Sequence, residues 1–279
     1  KLKRRNNEDR LMGGHQPTPS EEPPPMANPM DFVAPSEIVQ LPSRGRYPEG
    51  HPLHGKDSIE INYMTAKDED VLTNRSLLKK GLALDRLIQN LIRDKSINAR
   101  SLYLGDRNAI IIHARASAYG ADYTTTIQCP ACTETSKWKF DLHDYEEHLG
   151  DDLEDTGITD NGDSTFNLTL PLSKIVVRIR QLTGQDEIDV ATSSSNKDMN
   201  NDLITKQMKR YVVSFNGYED KKTIDYVCDN MVARDSKLLR DSFNYISSDI
   251  KLQQKFVCKN CDHEEVMSVP FGTDFFWPE

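Results

Sequence analysis

No apolar run in this sequence approaches the roughly 20 residues that a membrane-spanning helix needs. The charged opening, Lys1 to Arg10, has no apolar stretch behind it that would make a secretory leader. A membrane protein is therefore not expected, and the composition fits a cytosol-like compartment. Positive charge is also in deficit: 35 Lys and Arg against 44 Asp and Glu leave a net charge of -9. That balance disfavours generic nucleic-acid binding, which draws most of its affinity from cations on phosphates. There is no nucleophile elbow, phosphate-binding glycine loop or His-rich metal motif, so no enzymatic activity is expected. Cysteine is scarce, with five in 279 residues, too few for a disulfide framework in a chain this long.

What is present describes a soluble globular protein with some highly exposed sequence: 37% hydrophobic, 28% charged, mean hydropathy -0.65. Residues 1–35 form a basic, then Pro-rich arm that cannot bury enough apolar surface to offset its ordering entropy. Alone it should be flexible, and it should order on a partner.

From Glu37 the pattern is that of a strand breaking into a Pro/Gly-punctuated loop, and Ser58 to Met64 alternates as a half-buried strand. Thr65 with Asp68 predicts a capping box for a short helix over 66–72. A restart at Thr73 and Asn74 runs to a stop at Gly81. Leu84, Leu87, Ile88, Leu91 and Ile92 then predict one buried stripe on a helix over 82–93. Asp106 is read as the cap of a further helix ending near Tyr119 and Gly120. Further on, 166–170 and 175–180 look like paired strands, and Thr183 caps a helix to about Ala191. A polar break over 192–201 follows, then a helix over 202–213, a hairpin-type turn at Asn216 and Gly217, and a last amphipathic helix capped by Asp235.

The chemistry lies in two Cys-x-x-Cys units in matching frames, Cys129/Cys132 and Cys258/Cys261. Each has a β-prone run, the pair, a short polar turn and a second run, as a zinc ribbon presents its ligands. Two intervening residues let a tight turn aim both sulfurs at one ion, and four thiolates close the tetrahedron around a single structural zinc. Such a site has no open position for water or substrate. Two disulfides, a redox pair or unrelated thiols compete with this reading. The equivalent frames favour the metal, and redox chemistry would call for a knuckle at a helix N-terminus. His263 is close enough to substitute as a ligand, and Cys228 reads as a small buried hydrophobe. The long gap between Cys132 and Cys258 is explained by an insertion carried between two hairpins.

Other polar features read as structure. His113 on an apolar helix is expected to be a core or boundary residue, not a catalyst. The acidic stretch 144–163 reads as a solvated face or exposed loop, and Asp160 to Asp163 lacks the alternating ligands of a calcium loop.

The segments Leu41-Pro-Ser-Arg-Gly-Arg-Tyr47, Ile61-Asn-Tyr-Met-Thr-Ala-Lys-Asp-Glu-Asp70, Leu77-Leu-Lys-Lys-Gly81, Leu104-Gly-Asp-Arg-Asn-Ala109 and the Cys129-Pro-Ala-Cys132 knuckle resemble the baseplate hub family of T-even-like contractile-tailed bacteriophages. The likeness spans about residues 40–142. It implies a structural or assembly protein of the tail baseplate, in the virion after assembly in the host cytoplasm. It also implies contacts with other hub and tail-tube-initiating proteins, and no substrate.

The expected fold is α+β, helices packed on small antiparallel sheets with a split zinc ribbon and an extended N-terminal arm. The expected organisation is the arm over 1–35, a helical core with the first knuckle over 36–142, an inserted α/β region with the acidic loop over 143–254, and the second knuckle and C-terminal tail over 255–279. A nucleic-acid-binding zinc ribbon is the alternative function, supported by the first ten residues and by Lys137, Lys139 and Lys259.

Overall fold

The computed structural model describes residues 35–79, 81–193, 203–269 and 273–276. The expected arm lies outside them except for Pro35, as does most of the polar break over 192–201. Among the described residues no helix is long and apolar enough to cross a membrane.

Strand β1 (Ser36–Gln40) pairs antiparallel with β2 (Ser58–Asn62), Ile38 opposite Glu60. The loop between them turns at Gly45, whose φ is +72° and where a Cβ would stand 2.5 Å from the Lys56 backbone; only glycine fits. Helix α1 (Ala66–Thr73) starts as its capping pattern predicts, the Asp68 carboxylate accepting from the Thr65 N–H at 2.9 Å and hydroxyl at 2.8 Å. Asn74 accepts from the Ser76 and Leu77 N–H groups to open α2 (Arg75–Lys79). In α3 (Ala83–Leu91) the stripe is buried at Leu87, Ile88 and Leu91, with Ile92 just beyond, but Leu84 in the first turn is 40% exposed.

Helix α4 (Leu104–Tyr119) ends at Gly120 as expected, but its N-cap is Tyr103, and Asp106 sits inside the first turn, fully buried. The capping reading of Asp106 fails because long-range donors take up its carboxylate. Strands β3 (Asp122–Gln128) and β4 (Thr135–Asp141) form a hairpin around the first knuckle. Part of the acidic stretch becomes strand β5 (Glu146–His148), paired with β10 (Asp249–Lys251). Its Glu146 and Glu147 side chains remain solvated while the backbone is paired.

An antiparallel four-stranded sheet follows in the order β6 (Thr159–Asp160), β7 (Thr165–Thr169), β8 (Val176–Arg180), β9 (Val212–Phe215). With it come helices α5 (Gly184–Ser193), α6 (Leu203–Tyr211), α7 (Lys221–Asn230) and α8 (Ala233–Ile246). The helix expected over 202–213 stops at Tyr211 because the β-branched Val212 and Val213 enter the sheet. Asn216 and Gly217, both at positive φ, make the expected turn. Helix α7 was not expected from the sequence; Asp220 caps it, accepting from the Thr223 N–H at 2.9 Å. Asp235 is not the cap of α8, a place Val232 holds. Its buried carboxylate instead accepts from the Leu172 and Ser173 N–H groups at 2.9 and 3.0 Å, pinning the β7–β8 turn. Strands β11 (Gln253–Val257) and β12 (Glu264–Ser268) form the last hairpin, and a short 3₁₀ turn covers Thr273–Phe276.

Two hydrophobic clusters result. One draws on residues from Val39 to Leu142 and again from Ile250 to Phe276, the other on residues from Ile158 to Ile246. They belong to one unit, Ala34–Glu279. Backbone bonds join them, from Leu104 N–H to Leu182 C=O and from Gly184 N–H to Leu102 C=O. A Cβ on Gly105 would lie 2.0 Å from the Ser248 carbonyl, so α4 meets this junction at a distance only glycine permits.

Candidate metal centre

The two knuckles share one backbone conformation. Cys129 N–H donates to Glu134 C=O and Thr133 N–H to Cys129 C=O; Cys258 N–H donates to His263 C=O and Asp262 N–H to Cys258 C=O. The fourth residue after each leading cysteine is left-handed, Thr133 at φ 61° and Asp262 at 55°. Neither is glycine, so composition carries little sign of this turn. The leading cysteines Cys129 and Cys258 are buried, while Cys132 is half-buried and Cys261 exposed.

All four sulfurs lie within 4.8 Å of one another. Cys129 Sγ is 3.8 Å from Cys261 Sγ, and Cys132 Sγ is 3.7 Å from Cys258 Sγ. A tetrahedral thiolate site with metal–sulfur bonds of about 2.3 Å has sulfur–sulfur edges of about 3.8 Å, so the donor set and its spacing fit one metal ion. Disulfides, which require about 2.05 Å, are not formed; all five cysteines are free. Neither knuckle opens a helix, and His263 is turned to Glu265 at 3.3 Å, outside the sulfur cluster.

Electrostatics favour a cation here. The Glu134 backbone and the Asn260 amide, 3.6 Å from its sulfur, hold the Cys132 thiol down at about 6. At Cys261 the His263 backbone acts downwards too, but the neighbouring thiols outweigh it and push that group up to about 12. Sulfurs packed this closely share one negative charge readily and resist more until a cation joins them.

The hairpins also meet through side chains. Trp138 packs edge-on against Phe256 with ring centroids 5.1 Å apart, and Tyr123 against Phe275 at 5.1 Å. The Gln254 amide accepts from Asp141 N–H at 3.1 Å and donates to Asp144 C=O at 3.0 Å. The buried Arg115 donates to Phe275 C=O at 2.7 Å. Sequence reading missed Arg115 and Gln254, because their partners are more than a hundred residues away.

A second node joins two of the segments that carry the family likeness. Ser43 donates its N–H and hydroxyl to Asp106, and the Tyr47 hydroxyl, 2.6 Å away, donates to the same carboxylate. Tyr47 stacks between His51 and Tyr103 at 4.2 and 4.3 Å. Arg46 caps the Leu149 and Gly150 carbonyls, and Arg44 pairs with Glu147 at 2.7 Å. Burial raises the pKa of Asp106 against the lowering effect of these donors.

The other polar residues singled out in the sequence have local partners. His113 is half-buried, its Nε2 3.5 Å from the Tyr145 hydroxyl. Asp160 and Asp163 accept from local backbone N–H groups, and Asp163 also pairs with Arg178. No calcium-like carboxylate cluster is found among the described residues. Of the lysines that suggested nucleic acid, Lys139 is paired with Asp122 at 2.6 Å.

The family model described as T4 bacteriophage base plate protein matches residues 37–277, nearly the whole chain. No curated protein and no solved structure matches it.

Proposed function

We propose, from the premise that the chain belongs to the T4 bacteriophage base plate protein family, that it is a structural component of the hub region whose two hairpins are clasped by one zinc ion. The baseplate places it in the virion tail among other baseplate proteins. The finer reading, a hub scaffold that contacts tail-tube-initiating proteins, rests on the likeness of its Leu41–Tyr47 and Leu104–Ala109 segments to hub proteins.

The observation that carries the clasp is the convergence of Cys129, Cys132, Cys258 and Cys261 within 4.8 Å. In this reading the segment 143–254 is an insertion, and the metal ties the chain before it to the chain after it. When bound, zinc supplies four bonds to sulfur and no Lewis-acid function, since a four-thiolate shell is saturated. The residues do the rest: the knuckle backbones orient the thiolates, Asn260 donates to Cys132, and Trp138 packs against Phe256 where the two hairpins meet. The role is mechanical, with no substrate turned over.

Elemental analysis of the purified full chain tests the clasp, with one zinc per chain expected and none overturning it. Co-purification with tail-tube-initiating proteins tests the hub assignment, and recovery of the chain only in peripheral baseplate fractions would overturn that part.

A further inference from the structure

Among the described residues, strand β1 has an open edge. Its register with β2, closed at one end by Tyr63 N–H to Pro35 C=O and at the other by Leu41 N–H to Asp57 C=O, turns the backbone polar groups of Glu37 and Val39 towards β2. Those of Ser36, Ile38 and Gln40 face the other way. Among the described residues no strand or loop backbone takes them up.

Exposed edges are ordinarily blunted by charge, by shortness or by a bulge. Strand β4 carries Lys137 and Lys139, β12 carries Glu264 and Glu265, and β6 is two residues long. Strand β1 has no bulge and no outward charge; its one charge, Glu37, lies on the inward face, where an added strand must answer it. Its five pairs run without a register shift, its outward side chains are Ser36, Ile38 and Gln40, and Ile38 is 68% exposed. Pro35 and Pro42 bound the open stretch.

The opposite face of β1 carries the carboxylate of Glu37, which is near enough to His113 to act on it electrostatically but takes no hydrogen bond at one oxygen. Glu37 lies on the same side as the buried Val39, and its Oε1 is shielded from water with no hydrogen-bond donor. A buried unpaired carboxylate oxygen is costly, and a cation or donor brought beside it relieves that cost.

We propose that β1 is the docking edge for an extended segment of another baseplate protein, which adds a strand to the β1–β2 sheet. The incoming strand places a Lys or Arg opposite Glu37 and an apolar β-branched residue opposite Ile38. Glu37 then occupies a non-hydrogen-bonded pair, where facing side chains approach most closely. A second copy of this chain answers the site less well: β1 paired with itself about Ile38 sets Glu37 against Val39, which offers no charge. Strand addition draws affinity from the backbone and specificity from these alternate positions. The inference rests on the chain being a baseplate component.

The test is hydrogen exchange on the isolated full chain and on baseplates that contain it, with incorporation of Ile38→Pro measured alongside. Proline at 38 breaks no β1–β2 ladder bond, because the N–H it removes faces the open edge; it also takes away the Ile38 side chain that the added strand would meet. The amides of Ile38 and Gln40 should exchange rapidly in the isolated chain and become protected in the baseplate, while Glu37 and Val39 are protected in both. Incorporation of the variant should fall about tenfold with its own thermal midpoint little changed. Equal exchange in both states, or normal incorporation of the variant, would overturn the docking edge. Protection in the isolated chain that rises with dimer formation would overturn the assigned partner in favour of a second copy. Absence of the chain from the baseplate is a separate result, which sinks the functional reading itself.

Discussion

Ser43 donates its backbone N–H at 2.9 Å and its hydroxyl at 2.6 Å to the carboxylate of Asp106, both residues being buried. With the Tyr47 hydroxyl this makes a five-atom polar node inside the larger hydrophobic cluster. It ties the β1–β2 loop to the first turn of α4.

Replacement of Asp106 by Ala leaves those donors buried without an acceptor. The expected loss is about 3 kcal/mol, read as the shift in a urea midpoint at unchanged slope. Asp106→Asn should lose less. A loss below about 0.5 kcal/mol for the alanine variant would mean that the node is not a tether.

Cys258→Ser should abolish stoichiometric metal and expose the β11–β12 amides to exchange, because the ion clasps that hairpin to the first. Cys228→Ser is the control. It buries a hydroxyl at a 2% exposed site, costing about 1–3 kcal/mol, yet should leave metal content intact.

Gly105→Ala separates helix propensity from packing. Propensity alone favours alanine by about 1 kcal/mol. With its Cβ 2.0 Å from the Ser248 carbonyl, the variant should instead be destabilised, with calorimetry showing a lower midpoint. A raised midpoint would refute the close approach.

Asp186 supplies the pH prediction. Burial acts to raise its pKa, but Arg180, at 2.8 Å, and Thr183 outweigh burial and hold it below the usual carboxylate range. A depressed folded-state value means stability that is present above the unfolded pKa of about 3.9 and lost as pH falls through the folded one. Asp186→Asn should therefore be less stable at neutral pH and lose less on acidification below about pH 4. Parallel acid-unfolding curves would contradict this.

Much of the local structure was legible in the residues. The Thr65–Asp68 pair, the Leu87, Ile88 and Leu91 stripe, the Asn216–Gly217 turn and the strand-knuckle-strand frames each depend on neighbours within a few positions, where periodicity and capping chemistry act. Asp106 and Asp235 show the limit. Both stand near helix starts and look like caps, yet each serves N–H groups more than 60 residues away. The end of α6 was misjudged for a similar reason, since Val212 continues a helical pattern until a neighbouring strand offers its edge.

The sequence by itself determined the two knuckles, the acidic balance and the alternating and helical stretches, because these are properties of adjacent residues. Only the tertiary structure decided that Cys132 and Cys258, distant in the chain, stand 3.7 Å apart, and that Asp106 is a tether. Side-chain chemistry sets what a group can bond. Which partner it meets depends on chain closure, which no local pattern encodes.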